Sequence, residues 1–162
     1  MSLEAVQRMF TVQIYFNTAL QPNYWERLKV LNIMSLQRRR ERDLILHTWK
    51  LLNNKTSNDL NISFHFNDRL GFRANLPKLY GTNHKARSLY HASFATKGPL
   101  LWNVLPKELN CITNFFTFKT NLDQFLKVVP DLPPVPGYGA PNHNSLLDWN
   151  NCRDSFSRYI TR

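Results

Sequence analysis

Apolar residues at Leu3, Val6, Phe10 and Ile14 recur every three to four positions, so the chain is expected to open with a helix. In "NYWERLKVLN", Asn23 followed by Glu26 is a capping-box pattern with Pro22 just outside it, and Trp25, Leu28 and Leu31 would share one face. A third helix is expected from Ser35, a good N-cap, to about Asn53, with apolar Leu44, Ile45, Leu46, Trp49, Leu51 and Leu52. The period then changes. Leu70, Phe72, Ala74 and Leu76 alternate with Gly71, Arg73 and Asn75, which predicts a strand ended or held at a sheet edge by Pro77. "SLYHASF" is a second candidate strand. In "KGPLLWNVLP", Pro99 fits the first position of a short helix that Pro106 closes. Thr113 is a candidate cap for the next helix. There Phe115, Phe118, Leu122, Phe125, Leu126 and Val129 form an apolar stripe, read as core and stopped by Pro130.

Five of the nine prolines fall between Pro130 and Pro141, which favours an extended tail in which "SLLDW" could dock as a small anchor. The fold expected is mainly α with a small β element (α+β): a helical bundle, a short hairpin and an extended Pro-rich C-terminal tail. Residues 1–55 would form a helical segment, 56–129 a basic α+β segment packed on it as one compact unit, and 130–162 the tail.

Charge changes this picture. Lys plus Arg number 21 and Asp plus Glu 11, so the 162-residue chain carries a net charge of +10. That balance implies polyanionic partners, nucleic acid first and an acidic membrane surface second. The charge is also oddly placed. Arg38, Arg39, Arg40 and Arg42 crowd the start of the third helix, where the positive pole of the helix dipole disfavours cations and like charges repel. A solvated helix face accounts for such a run; so would an anion that completes the cluster. A third account has one or two of these arginines pairing internally with Glu26, Glu41 or Asp43.

A second basic region runs from Arg69 to Lys107. It holds Arg69, Arg73, Lys78, Lys85, Arg87, Lys97 and Lys107, and no Asp or Glu. Interleaved aromatics suit single-stranded nucleic acid, where cations track phosphates and rings stack on bases. Phe72 and Trp102 are read as core; Tyr80 and Tyr90, near turns, are the stacking candidates.

Catalytic signatures do not emerge. His47, His65, His84, His91 and His143 show no metal-ligand spacing with Cys111 and Cys152, and there is no CxxC, HExxH or glycine-rich phosphate loop. The aspartates include no adjacent pair of the kind that holds two metals. The expectation is no enzyme in its own right, no cofactor, no metal and no small-molecule substrate. The two cysteines would pair in a secreted protein, but two reduced thiols are favoured in the absence of a visible signal peptide. An intracellular place, cytoplasmic or nuclear, and no membrane partner are expected.

Several segments, taken in order, resemble the C-terminal region of non-LTR (LINE-type, jockey or chicken-repeat-like) retrotransposon reverse transcriptases. They are "LEAVQR" (Leu3–Arg8), "YWERLKVLNIMSLQRRRERDLI" (Tyr24–Ile45), "TWKLL" (Thr48–Leu52), "LWNVLP" (Leu101–Pro106) and "FKTNLDQFL" (Phe118–Leu126). "PDLPPVPGY" and "NSLLDW" resemble the endings of such reading frames. Met9 departs from the pattern, where family members often carry a second arginine. The resemblance implies the helical thumb end of a polymerase whose metal-binding aspartates lie upstream, outside this chain. It implies contacts to RNA or DNA backbone, with the upstream polymerase domain as a further expected partner. On that basis Arg38, Arg39, Arg40 and Arg42, supported by Lys50, are expected to meet phosphates; Arg69, Arg73, Lys78, Lys85 and Arg87, with Tyr80 and Tyr90, complete the expected nucleic-acid set. A structural or protein-interaction domain, docking on a polymerase core or an acidic protein, is the alternative.

Overall fold

The computed structural model describes residues 3–15, 22–56, 64–67, 78–81, 93–132 and 144–151. It is mainly helical with a small two-stranded antiparallel sheet. The helices are α1 (Leu3–Tyr15), α2 (Tyr24–Val30), α3 (Leu36–Leu52), α4 (Phe94–Val104), α5 (Lys107–Asn110), α6 (Phe115–Val128) and α7 (Leu146–Asn151). The strands are β1 (His65–Asn67) and β2 (Lys78–Tyr80). Contacts divide the chain into two compact units. One joins Met1–Glu41 to Pro130–Arg162; the other is Arg42–Val129.

In the first unit, α1 and α2 meet through polar chemistry. Tyr24 donates its phenol to the Glu4 carboxylate, and the Arg8 guanidinium lies 4.7 Å from the centre of the Tyr24 ring. Arg27 donates to the hydroxyl of buried Thr11 at 3.3 Å and to the Pro22 carbonyl at 2.7 Å. The α2 capping box forms: Asn23 accepts from the Glu26 amide, and Glu26 accepts from the Asn23 amide. Tyr24 and Leu28 are the buried residues of α2, so the buried face is turned toward Tyr24 from the Trp25, Leu28, Leu31 face expected. The helical period of α1 is as expected, but Val6, Met9, Phe10, Val12 and Ile14 are all exposed.

Helices α2 and α3 end the same way. Asn32 and Asn54 adopt positive φ (51° and 52°), a conformation asparagine tolerates better than most residues. The following amides then reach back, Ile33 to the Leu28 carbonyl at 3.0 Å and Lys55 to that of Lys50 at 2.8 Å, which closes each helix in a Schellman turn.

The second unit has an aromatic core. Trp49 and Phe118 stack with ring centres 5.7 Å apart, and Trp102 lies 5.8 Å from Phe118. Ile45, Leu101, Leu122 and Leu126 are buried with them. The α6 stripe read from sequence therefore supplies core residues. Its cap is Asn114, one residue after the expected Thr113, because the Asn114 carbonyl oxygen accepts from both the Phe116 and Thr117 amides.

Strand β2 pairs Leu79 with Phe66 of β1. Its other edge is covered by Asn103 of α4, whose amide accepts from the Leu79 N–H and donates to the Leu79 carbonyl, both at 2.8 Å. One side chain thus stands in for a third strand and removes an open edge. The strand expected at Leu70–Leu76 lies outside the described residues, as do 88–92 of the second candidate. Phe94 of that candidate opens α4 instead.

Helix α4 also begins earlier than Pro99 suggests. Ser93 is its N-cap, and Pro99 sits in the second turn, where it cannot donate to the Ala95 carbonyl. Gly81 occupies the space beside that carbonyl. A β-carbon there would lie 2.1 Å from the Ala95 oxygen, so the interior proline and the glycine fit one another.

The C-terminal stretch is not wholly extended. Residues 133–143 lie outside the described set, but Asn144 and Leu146 are buried, and Leu146 opens α7.

Candidate nucleic-acid interface

The four arginines of α3 separate into two classes. Ser35 caps the helix as expected, its hydroxyl accepting from the Arg38 amide at 3.1 Å. Arg38 faces inward and is fully buried (0 % exposed). Its Nη2 donates to the carbonyls of Pro130 at 3.0 Å and Asn144 at 3.2 Å, and its Nε lies 3.8 Å from an Asp131 carboxylate oxygen. Burial pulls this guanidinium below the usual arginine range, and the nearby negative charges of Asp131 and Glu41 oppose that pull. Arg38 is therefore a correction to the expected phosphate contacts: it has no surface on which to meet one.

Asp131 is the hub of this cluster. It accepts from the Ser35 amide (2.7 Å), the Ser35 hydroxyl (2.8 Å) and the Asn144 side-chain amide (2.5 Å). Asn144 also donates to Ser35 Oγ at 2.8 Å. Beside them Glu41 is buried, accepting from Gln37 at 2.9 Å and from the Leu146 amide at the start of α7 at 3.0 Å. Buried polar groups need such partners, and each donor and acceptor here lies within one unit.

In the second unit Arg42 forms a forked pair with Asp123, Nε to Oδ1 at 2.5 Å and Nη2 to Oδ2 at 2.9 Å, with Asp43 3.5 Å from Nη1. The hydrogen bond to Asp123 is the chief reason its pKa rises. Arg42, too, is engaged internally. Its partner Asp123 and that of Arg38, Asp131, lie far along the chain from α3; of the nearby acids weighed as partners, Asp43 supplies a contact to Arg42 and Glu41 a field at Arg38.

Arg39 and Arg40 differ. Both are exposed. The Arg39 side chain donates to the Met34 carbonyl at 3.2 Å, and among the described residues no carboxylate pairs with either arginine. The first turn of α3 holds no acidic residue. A guanidinium so placed keeps its fork of donors available to an oxyanion.

Lys78 and Tyr80 project from the same, exposed face of β2, while Leu79 between them is buried. Tyr80 is 48 % exposed and pairs across the sheet with exposed His65. Lys50 is half-buried, its ammonium 5.1 Å from the centre of the Phe115 ring. Arg69, Arg73, Lys85, Arg87 and Tyr90 lie outside the described residues.

Two residues missed in the sequence reading stand out here. Phe116 is 77 % exposed, and Lys55, beside it on the surface, carries a further cation. The signal was present: in "NFFTF" the second phenylalanine falls off the Phe115–Phe118–Leu122 stripe, so it must face outward. Among the described residues no cluster of His, Cys, Asp and Glu could hold a metal ion, and no helix is long and apolar enough to cross a membrane. No protein-family model, curated protein or solved structure matches this chain.

Proposed function

We propose that this protein is a non-catalytic nucleic-acid-binding module that grips the phosphate backbone of RNA or DNA. The observation that carries the reading is the division of the α3 arginines. Arg38 is buried against Asp131 and two carbonyls and Arg42 is paired with Asp123, which leaves Arg39 and Arg40 adjacent, exposed and without carboxylate partners among the described residues. The net charge of +10 and the outward pair Lys78 and Tyr80 support it. So does the resemblance of the ordered segments to the thumb end and tail of LINE-type reverse transcriptases, which would make this module part of an RNA-directed DNA polymerase whose catalytic palm lies elsewhere. Contacts of this kind position the nucleic acid and read no sequence.

The test is binding of the full chain to a labelled single strand and a duplex across a salt series. Each phosphate contact contributes about 0.9 to the log–log slope on duplex. The double variant Arg39→Ala/Arg40→Ala should lower that slope by about 1.8 while leaving the unfolding curve unchanged. An unchanged slope and affinity overturn the reading.

A protein-docking role is the second reading, and one observation favours it: the exposed apolar residues of α1, Val6, Met9, Phe10, Val12 and Ile14. Weak nucleic-acid binding with a slope near one, together with protein association insensitive to salt, is its signature.

A further inference from the structure

A concavity of about 420 Å³ lies in the second unit where the end of α3 meets the start of α6. Its size falls in the range that receives a small organic group, ~300–1,000 Å³. Local chemistry shapes it. The Schellman turn at Asn54 folds Lys55 back over the end of α3, so that Lys50 and Lys55 line one side. Trp49 forms part of the wall, and its indole N–H holds the Ile112 carbonyl at 2.8 Å, which fixes the approach to α6. Asn114 then caps α6 through the Phe116 amide, so the backbone beneath the Phe116 ring is pinned while the ring stays exposed. The lining holds two cations, two phenylalanines and no carboxylate, and among the described residues neither lysine has an ion-pair partner.

A large exposed aromatic face beside two ammonium groups that no carboxylate neutralises among the described residues matches a ligand that carries both a flat ring and an anion. We infer that this concavity seats one unpaired nucleotide of a single strand, its base stacked on Phe116 and its phosphate held by Lys50 and Lys55. The inference rests on the nucleic-acid reading above and deepens it, since Arg39 and Arg40 touch backbone of any strand whereas Phe116 needs a base free of its pairing partner. A base inside a duplex is covered on both faces and cannot stack on a side chain.

The experiment compares the full-length parent, Phe116→Ala, Phe116→Tyr and Lys50→Gln/Lys55→Gln on a fluorescein-labelled twelve-nucleotide RNA, single-stranded and annealed to its complement. Loss of one stacking platform weakens single-strand binding by about 5- to 150-fold. The expected result is that loss with Phe116→Ala, duplex binding unchanged, and recovery with Phe116→Tyr, which keeps the ring. The lysine variant should lower the single-strand salt slope by about 0.7, the share of the one phosphate that the two lysines hold. Phe116 is largely exposed, so its removal should leave the unfolding curve in place; Phe116→Leu, which keeps apolar bulk without a planar face, should bind as poorly as Phe116→Ala. If the parent binds both probes but Phe116→Ala matches it on the single strand, or loses single strand and duplex equally, the nucleotide seat is wrong and the backbone-binding reading stands. If the parent binds neither probe, both fall.

Discussion

Replacing Asp131 with alanine should cost the first unit about 3 kcal/mol. The carboxylate faces buried Arg38 and accepts from three donors, two on Ser35 and one on Asn144, both of which are buried. Removing one partner of a buried ion pair costs about 3–5 kcal/mol, because the remaining charge stays out of water. Each donor left without an acceptor adds about 1–3 kcal/mol. Two features pull the total down. Arg38 keeps its two carbonyl acceptors, and the Asp131 side chain is 19 % exposed, so water can enter the vacated space. The lower end of the ion-pair range is therefore the expected figure, a large share of the ~5–15 kcal/mol that holds a typical domain together. With a urea m-value of about 2 kcal/mol/M, the midpoint should fall by about 1.5 M. Asp131→Asn keeps an acceptor and loses the charge, and should lie between parent and alanine variant. Hydrogen exchange provides a local readout: the Leu146 amide, bound to Glu41 in the same cluster, should lose protection in Asp131→Ala. A midpoint within 0.2 M of the parent would refute the claim that this cluster holds the chain's two ends together.

Other expectations follow from single contacts. Arg42→Ala should lower stability by about 1 kcal/mol in chemical denaturation, since its forked pair with Asp123 is well formed but part-exposed. Phe118→Ala, which empties the centre of the Trp49–Trp102 cluster, should cost about 3–5 kcal/mol in the same assay. Gly81→Ala should cost about 1–3 kcal/mol by driving a methyl group into the Ala95 carbonyl, read as a lower melting temperature. Burial, and then the hydrogen bond to Glu4, raise the Tyr24 phenol well above its ordinary value of 10. Its contribution to stability is thus fully present below pH 10 and is lost as pH climbs above it, because the unfolded chain ionises first. Tyr24→Phe should flatten that alkaline decline in a pH series of melting temperatures.

What could be read from the sequence was what neighbours decide. The Asn23–Glu26 capping box, the Ser35 cap and the α6 stripe depend on residues three or four apart, and the structure contains all three. The burial of Arg38 was not legible, because its partners Asp131 and Asn144 lie about a hundred positions away. Charge alone marks an arginine as a surface residue; only the distant carboxylate turns it inward. The α1 period was legible and its exposure was not, since periodicity predicts a face and is silent about what covers it. Pro99 misled for a related reason. A proline within α4 is accommodated because Gly81, from another part of the chain, fits beside the carbonyl it leaves free.

The first unit is built from both ends of the chain, with Arg42–Val129 set between them. During synthesis the second unit is therefore complete before Asp131 and Asn144 leave the ribosome, while α1, α2 and the start of α3 wait with Arg38 unanswered. In the unfolded chain that junction would close a loop of about ninety residues, an entropic cost that grows only slowly with length, and prior folding of the second unit meets most of it. Such nonlocal pairing slows folding. The continuous segment should reach its native form first, and the two ends should join in a later phase, when Asp131 meets Ser35 and Arg38.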